Sequence, residues 1–214
     1  MTAAEPSPKR QYHKGNVAED LMAVAARILQ TERIEDLSVR RLAREVGVTP
    51  ANFYNHFPSL NDLLLDIAAE AFNARSASIA HIRRTSKTRA EALKRTVVTY
   101  VDFASANFQL FRIMFGHIPN ADRHARYHEA SNRSFGQLTE LIYGRPVYNP
   151  DDIVTSHERA KVAYGVFAMS YGLARIVAEG QVHFTPGQER AEARAFIESL
   201  IDAFIAGELG AVLS

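Results

Sequence analysis

No cysteine occurs anywhere in the 214 residues, which excludes disulfides, thiol catalysis and cysteine-ligated zinc at the outset. Long hydrophobic runs are missing too. The longest nearly apolar stretch, residues 162–174, is closed off by Lys161 and Arg175 and falls short of the roughly 20 residues a bilayer-spanning helix needs. The first fifteen residues hold charges and prolines but no apolar segment of signal-peptide type, so the expected address is the cytoplasm, with no membrane partner. An excess of one charge is likewise absent. Lys and Arg total 25 against 24 Asp and Glu, a net charge of +1, so any attraction for nucleic acid has to come from local placement. There is no convincing β-strand, internal repeat or low-complexity tract. A nucleophile elbow, a phosphate-binding glycine loop and a zinc-protease histidine pair are also missing. The expectation is a non-enzymatic protein without a cofactor.

What is present is helical grammar. Hydrophobic residues make up 47% and charged ones 23%, ordinary globular usage, and the length suffices for two cores. Residues 1–15, with Lys9, Arg10, His13 and Lys14 but no apolar period, read as a flexible basic arm. Val17, Leu21, Val24 and Ile28 line one face of a first helix ending near Thr31. Ser38 caps a short second helix carrying Val39, Leu42 and Ala43, and Gly47 supplies the left-handed residue that ends it. Thr49 followed by Pro50 opens a third, barely two turns long because Pro58 follows. Ser59 with Asp62 is a capping box for a long fourth helix running toward Arg84, and Thr88 with Glu91 another for a fifth. A sixth carries Phe108, Phe111 and Phe115, and a seventh runs from about Ala121 to Tyr143. Asn149-Pro150-Asp151-Asp152 is read as the start of an eighth, with Tyr164, Phe167 and Tyr171, ending near Gly180; Thr185-Pro186 starts a ninth. The expected fold is all-α, about nine helices. It divides into the arm (1–15), a helix-turn-helix module (16–62) and a helical bundle (63–214) for ligand sensing and dimerisation.

Residues 42–54 are a helix, a tight turn containing Gly47 and a second short helix, the layout in which the second helix offers its N-terminal residues to base edges in the major groove. Pro50 and Ala51 are small enough for close approach, Ala51 suits a thymine methyl, and Asn52 can pair bidentately with adenine. Tyr54 and His56, at the end of the short helix, suit phosphate oxygens. Arg40 is in reach of a guanine. The alternative is a helical corner in which Val46, Val48 and Phe53 are merely core. Residues 1–62 contain eight Lys and Arg and eight acids, so affinity would rest on helix ends and the arm.

The segment from Ser38-Val39-Arg40-Arg41-Leu42-Ala43-Arg44-Glu45-Val46-Gly47-Val48-Thr49 through Phe53-Tyr54-Asn55-His56-Phe57 and Ser59 resembles the DNA-binding signature of the tetracycline-repressor (TetR) family, over roughly residues 16 to 66. That resemblance implies a ligand-released dimeric repressor on a palindromic double-stranded operator. It places Arg40, Pro50, Ala51 and Asn52 toward bases, and Ser38, Thr49, Tyr54 and His56 toward the backbone. Leu60 stands where family members often carry lysine, which removes one cation from the phosphate side. Tyr100 to Phe115, with Phe167, Tyr171 and Gly172, is similar to one family subgroup of C-terminal domains, in which a tryptophan and a histidine often precede the glycine.

Tyr100, Phe103, Phe108, Phe111, Phe115, Phe135, Tyr164, Phe167 and Tyr171 are the candidate lining of a pocket for an unknown small-molecule effector. Singly, each is as well explained as core. His124 and His128 have the i, i+4 spacing of two metal ligands, with His117 nearby, but no acidic or cysteine ligand supports them and no metal is expected. Two rivals stand beside repression: a ligand-dependent activator or co-repressor, and a helical small-molecule carrier or enzyme that does not bind DNA. The last two long helices are the expected homodimer interface, because their apolar surface exceeds what one neighbour covers.

Overall fold

The computed structural model describes residues 16–151, 160–182 and 189–209; the basic arm and the Thr185-Pro186 start signal lie outside them. Among the described residues there are nine α-helices and no strand: α1 Val17–Ile28, α2 Val39–Val46, α3 Pro50–Tyr54, α4 Leu60–Thr85, α5 Arg89–Ala106, α6 Phe108–Phe115, α7 Ala125–Tyr143, α8 Lys161–Ala178 and α9 Glu189–Phe204. The capping chemistry read from the sequence is in place. Oxygens of Asn16, Ser38, Thr49, Ser59 and Thr88 each accept the amide three residues on, at the starts of α1 to α5, satisfying donors a helix leaves open. Gly47 ends α2 at φ +80° and Gly144 ends α7 at φ +70°, the left-handed region that costs glycine least.

Two apolar cores organise the described residues. In the first, Leu21, Val24, Ile28, Leu42, Val46, Phe53, Phe57 and Leu63 bring α1 to α3 and the start of α4 together. This core does not close at residue 62: it runs up α4 to Phe72 and takes in Ile113, Met114, Ile118 and Ala130 from beyond. The second gathers Ile79, Leu93, Val97, Val101, Phe111, Leu141, Val166 and Ile197 from α4 to α9. At 26 residues, about 39 Å at 1.5 Å per residue, α4 is the element common to both.

Two boundaries differ from the sequence reading, and one element is added. The seventh helix does not begin at Ala121. Residues 121–123 form a separate 3-10 turn, and His124 caps α7 by accepting the Tyr127 amide on Nδ1 at 3.3 Å. The helix carrying Tyr164, Phe167 and Tyr171 begins at Lys161, because Ala160 has non-helical backbone angles (φ −106°, ψ 12°); Asn149 to Asp151 are turn or irregular, and residue 152 lies outside the described residues. A 3-10 turn at Ile34–Asp36, not anticipated, bridges α1 and α2.

Candidate nucleic-acid interface and an internal cavity

The outer face of α2 and α3 is built from what the first core leaves over. Phe53 is fully buried and its ring meets Phe57 at 5.6 Å, which anchors the five-residue α3 from beneath. With Phe53 pointing in, Pro50, Ala51 and Tyr54 are exposed, together with Thr49 before them and His56 after. Tyr54 is 57% exposed, its ring edge-on to Phe53, a conspicuous position for a large aromatic. Ser38 and Arg40 are exposed on the same segment.

Of the adjacent arginines, Arg41 is engaged inside the protein: both guanidinium nitrogens donate to the Glu32 carboxylate at 2.6 and 2.7 Å. That bond, foremost, holds the Glu32 carboxyl below its ordinary pKa. Arg27 of α1 ties down Glu45 of α2 at 3.1 Å. Arg40 stays available to a partner from outside. Asn52 differs from the others. It is half-buried, and its Oδ1 is turned away from solvent without a hydrogen-bond partner among the described residues. Offering its amide to an adenine edge requires a side-chain rotation, but one that forfeits no hydrogen bond of that oxygen. Leu60, at the lysine position, packs against the first core.

The aromatics expected to line one pocket divide into two groups. Phe111 stacks on Tyr171 at 5.6 Å, Phe115 meets Phe111 at 5.1 Å and Phe167 at 5.8 Å, and Phe135 meets Tyr164 at 4.6 Å. Phe111 belongs to the second core and Phe108, Phe115, Phe135, Phe167 and Tyr171 pack against it, while Phe111 and Tyr171 also border a smaller cavity of about 280 Å³ with Arg112 and Arg175. Only Tyr100 and Phe103 border the large apolar cavity, of about 450 Å³, which lies on the other side of Tyr100 between α4, α5 and α6, with Ala26 of α1 at its edge. Its other walls are Ile67, Ile79 and Ile82 of α4, Thr96 of α5, and Leu110 and Met114 of α6. None of these is among the aromatic residues expected from the sequence as lining.

The missed residue of most consequence is Arg75. It too lines the cavity; one nitrogen donates to Ser134 Oγ at 2.6 Å, and the guanidinium sits 5.1 Å from the Tyr100 ring centre. Desolvation by burial pulls its pKa below the ordinary arginine value and pushes that of Tyr100 up. A signal was there: Arg75 falls three residues after Phe72 and four before Ile79, a cation on the apolar stripe of an amphipathic helix. Among the described residues no cluster of metal-ligating side chains occurs.

Cavity and outer face are mechanically adjacent. Leu110 and Met114 of α6 face the cavity, while Gln109 accepts the Ile34 amide at 3.2 Å and Arg112 donates to Glu35 at 2.7 Å. The 3-10 turn between α1 and α2 is thereby fastened to α6. The Arg112 hydrogen bond, first among several influences, holds the Glu35 carboxyl down at about 2. Arg126 of α7 reaches Asp66 and Glu70 of α4 at 2.8 and 2.9 Å.

Comparison with known proteins matches two family patterns along the chain. The pattern of bacterial regulatory proteins of the tetR family matches residues 21–75, and that of the tetracyclin repressor-like C-terminal domain matches residues 93–204. The nucleoid occlusion factor SlmA of Yersinia enterocolitica is 24% identical over 188 residues, 85% of this chain and 92% of that protein. A protein of unknown function from Rhodococcus sp. RHA1 superposes with a TM-score of 0.72 at 23% identity, covering 96% of this chain and all of that one. A TetR transcriptional regulator from the same organism superposes at 0.61 with 12% identity, over 92% and 100%. No helix among the described residues is long and apolar enough to cross a membrane. With both family patterns matched in order, on a helix-turn-helix followed by a helical domain, the chain belongs to the tetR family of bacterial regulatory proteins and is a helix-turn-helix transcription regulator.

Proposed function

We propose that the protein is a dimeric, sequence-specific repressor that leaves its operator when a small molecule enters the cavity between α4, α5 and α6. The observation that carries this is continuity. One helix, α4, has its N-terminal half in the core beneath α3 and its C-terminal half along the cavity. Arg40, Pro50, Ala51 and Asn52 face bases, and Ser38, Thr49, Tyr54 and His56 face the phosphates. A molecule wedged against Ile79 and Met114 shifts α4 and α6 together, and the helix-turn-helix moves with them as a rigid body.

The dimer uses α8 and α9. Gly165 and Ala168 of α8 are exposed and Gly172 half-exposed, an uncharged strip where an added side chain at either glycine meets open space. On α9, Ala193, Ile197 and Ile201 point inward while Phe196 remains 39% exposed. Small residues beside a large apolar one suit close helix packing against a second copy. Two copies place two recognition helices on one face of the duplex, and half-sites one turn apart require about 34–36 Å between them.

Selection from a pool of randomised duplexes tests the reading. Enrichment of a two-fold symmetric sequence is the expected result. Binding that never exceeds that to the starting pool would leave the carrier reading in its place.

A further inference from the structure

The cavity is mostly apolar, yet it holds a charge that nothing among the described residues neutralises. Arg75 has no carboxylate within ion-pair distance among the described residues; its neighbours are the Ser134 hydroxyl, the Ser134 carbonyl at 3.5 Å and the face of Tyr100. These use one of the two terminal nitrogens and leave most of the five N–H donors of a guanidinium unused. Glu70, the acid on the cavity wall, is exposed and paired with Arg126.

Two further orphans stand beside it. Thr96 and Tyr100 line the same cavity, are 5% and 4% exposed, and their hydroxyl oxygens have no hydrogen-bond partner among the described residues. Folded proteins leave few buried polar atoms unpaired, and those few call for an explanation. Here an uncompensated cation and two uncompensated hydroxyls belong to residues that line a single void.

One ligand chemistry satisfies all three. A carboxylate neutralises the guanidinium, takes two parallel N–H bonds from its fork, and has lone pairs left for two hydroxyl donors. An ammonium would meet a like charge. An alcohol of the same length could accept hydrogen bonds but would leave the charge buried and unpaired. The size of the space is also informative: about 450 Å³, at the ~30 Å³ a water molecule occupies in the liquid, corresponds to about fifteen non-hydrogen atoms. Around the polar groups the walls are Ile79, Phe103, Leu110 and Met114, which suit a hydrocarbon body.

We infer that the effector is an amphipathic monocarboxylate, with a carboxylate held by Arg75, Thr96 and Tyr100 and an apolar body of about ten carbons, aliphatic or aryl. This rests on the cavity being the effector site, and it adds the class of molecule that enters. Arg75 is on α4 and Tyr100 on α5. A carboxylate bridging them draws those helices into one arrangement, at the level where α4 leaves the first core.

Calorimetric titration of the full-length protein with decanoate, decanol and decylamine, and with 2-naphthoate and 2-naphthol, reads the headgroup directly. At least one of the two carboxylates is expected to bind saturably and at least tenfold more tightly than its alcohol, with decylamine weaker than decanol. Arg75→Met should reduce the carboxylate to the affinity of its alcohol, whereas Arg75→Lys, keeping a point charge without the fork, should retain part of the preference. Alcohols binding as tightly as carboxylates, tighter binding of the amine, no saturable carboxylate binding, or a folded Arg75→Met protein with the preference intact would each overturn the inference. Should Arg75→Met fail to fold, the wild-type series decides alone. Binding of the wild type to its selected duplex is measured separately. If it binds DNA but prefers no carboxylate, the ligand class falls and the regulator stands. If it binds carboxylates but selects no duplex, the ligand site stands and the regulator reading falls.

Discussion

At the residue scale, roles divide according to what each side chain already does inside the protein. Arg40 and Arg41 are neighbours in sequence, but Glu32 holds Arg41 through two hydrogen bonds while Arg40 is exposed. Arg40→Ala should therefore relax the preference at one base pair per half-site, at a cost of about 1–3 kcal/mol. Arg41→Ala should lower the melting temperature slightly and leave base preference unchanged. Duplex-binding titrations on single-base variants of the selected site separate the two. Asn52→Ala belongs with Arg40, with a similar loss of discrimination at its own position. Tyr54→Phe should weaken binding to every sequence alike, because a phosphate contact carries no base information. Equal loss of discrimination in Asn52→Ala and Tyr54→Phe would contradict these roles.

At the scale of elements, the turn after α2 and the fastening of α6 give the sharpest expectations. Gly47 is left-handed, and a methyl added there meets nothing within 4 Å, so the cost of Gly47→Ala is the backbone conformation alone, about 1–2 kcal/mol. A thermal melt measures it. Glu35 titrates in the fold at about 2, held down first by its hydrogen bond to Arg112. An acid with a depressed pKa contributes stability above its unfolded value, near 4.3, and loses it as pH falls toward the folded one. The link between α6 and the 3-10 turn should loosen between about pH 4.5 and 2, and Glu35→Gln should remove that pH dependence. Amide exchange of Ile34 to Leu37 against pH checks it; identical profiles in both proteins would show that the ion pair fastens nothing.

Elements were also where the sequence was most and least legible. Ser38, Gly47, Thr49-Pro50, Ser59 and Thr88 stand where the helix ends are, because capping is local chemistry that three or four residues decide. The exposed residues of α2 and α3 were legible for the same reason. Phe111, Phe115, Phe167 and Tyr171 look from their spacing as able to line a void as to fill a core, and packing shows that their rings meet one another, with Phe111 and Tyr171 also bordering a smaller cavity of about 280 Å³ beside Arg112 and Arg175. Thr96, Leu110 and Met114 carry no mark of a cavity in one dimension, since the void exists only where three helices diverge. That the helix carrying Tyr164 begins only at Lys161 was not legible, since Ala160 offers no side-chain cap to mark the start.

At the scale of the whole molecule, dimerisation and release become measurable. Phe196→Glu on α9 should yield monomers in analytical ultracentrifugation, and operator affinity should fall with them. Ile201, fully buried in the second core, is the wrong place to test an interface, since a charge there would unfold the domain. Release obeys linkage: any molecule that lowers affinity for the duplex must bind the duplex-bound protein more weakly by the same factor. Taking the DNA-competent population from nearly all to nearly none requires about 5.5 kcal/mol of differential affinity. Two charge-assisted bonds to Arg75 and a buried hydrocarbon body are the kind of interactions that can supply it.

All of this presupposes that the exposed face of α2 and α3 meets a duplex. The net charge of +1 gives no general attraction to lean on, so the binding has to come from that face. The direct measurement is the affinity of the full chain for its selected duplex, by fluorescence anisotropy, between 50 and 200 mM salt. The expected result is a straight line of log affinity against log salt with a slope on the order of −5, close to a 10³-fold loss across that range, as about six phosphates exchange their counterions for the protein. A slope near zero, or the same affinity for the selected duplex and for a scrambled one at every salt concentration, would contradict the account.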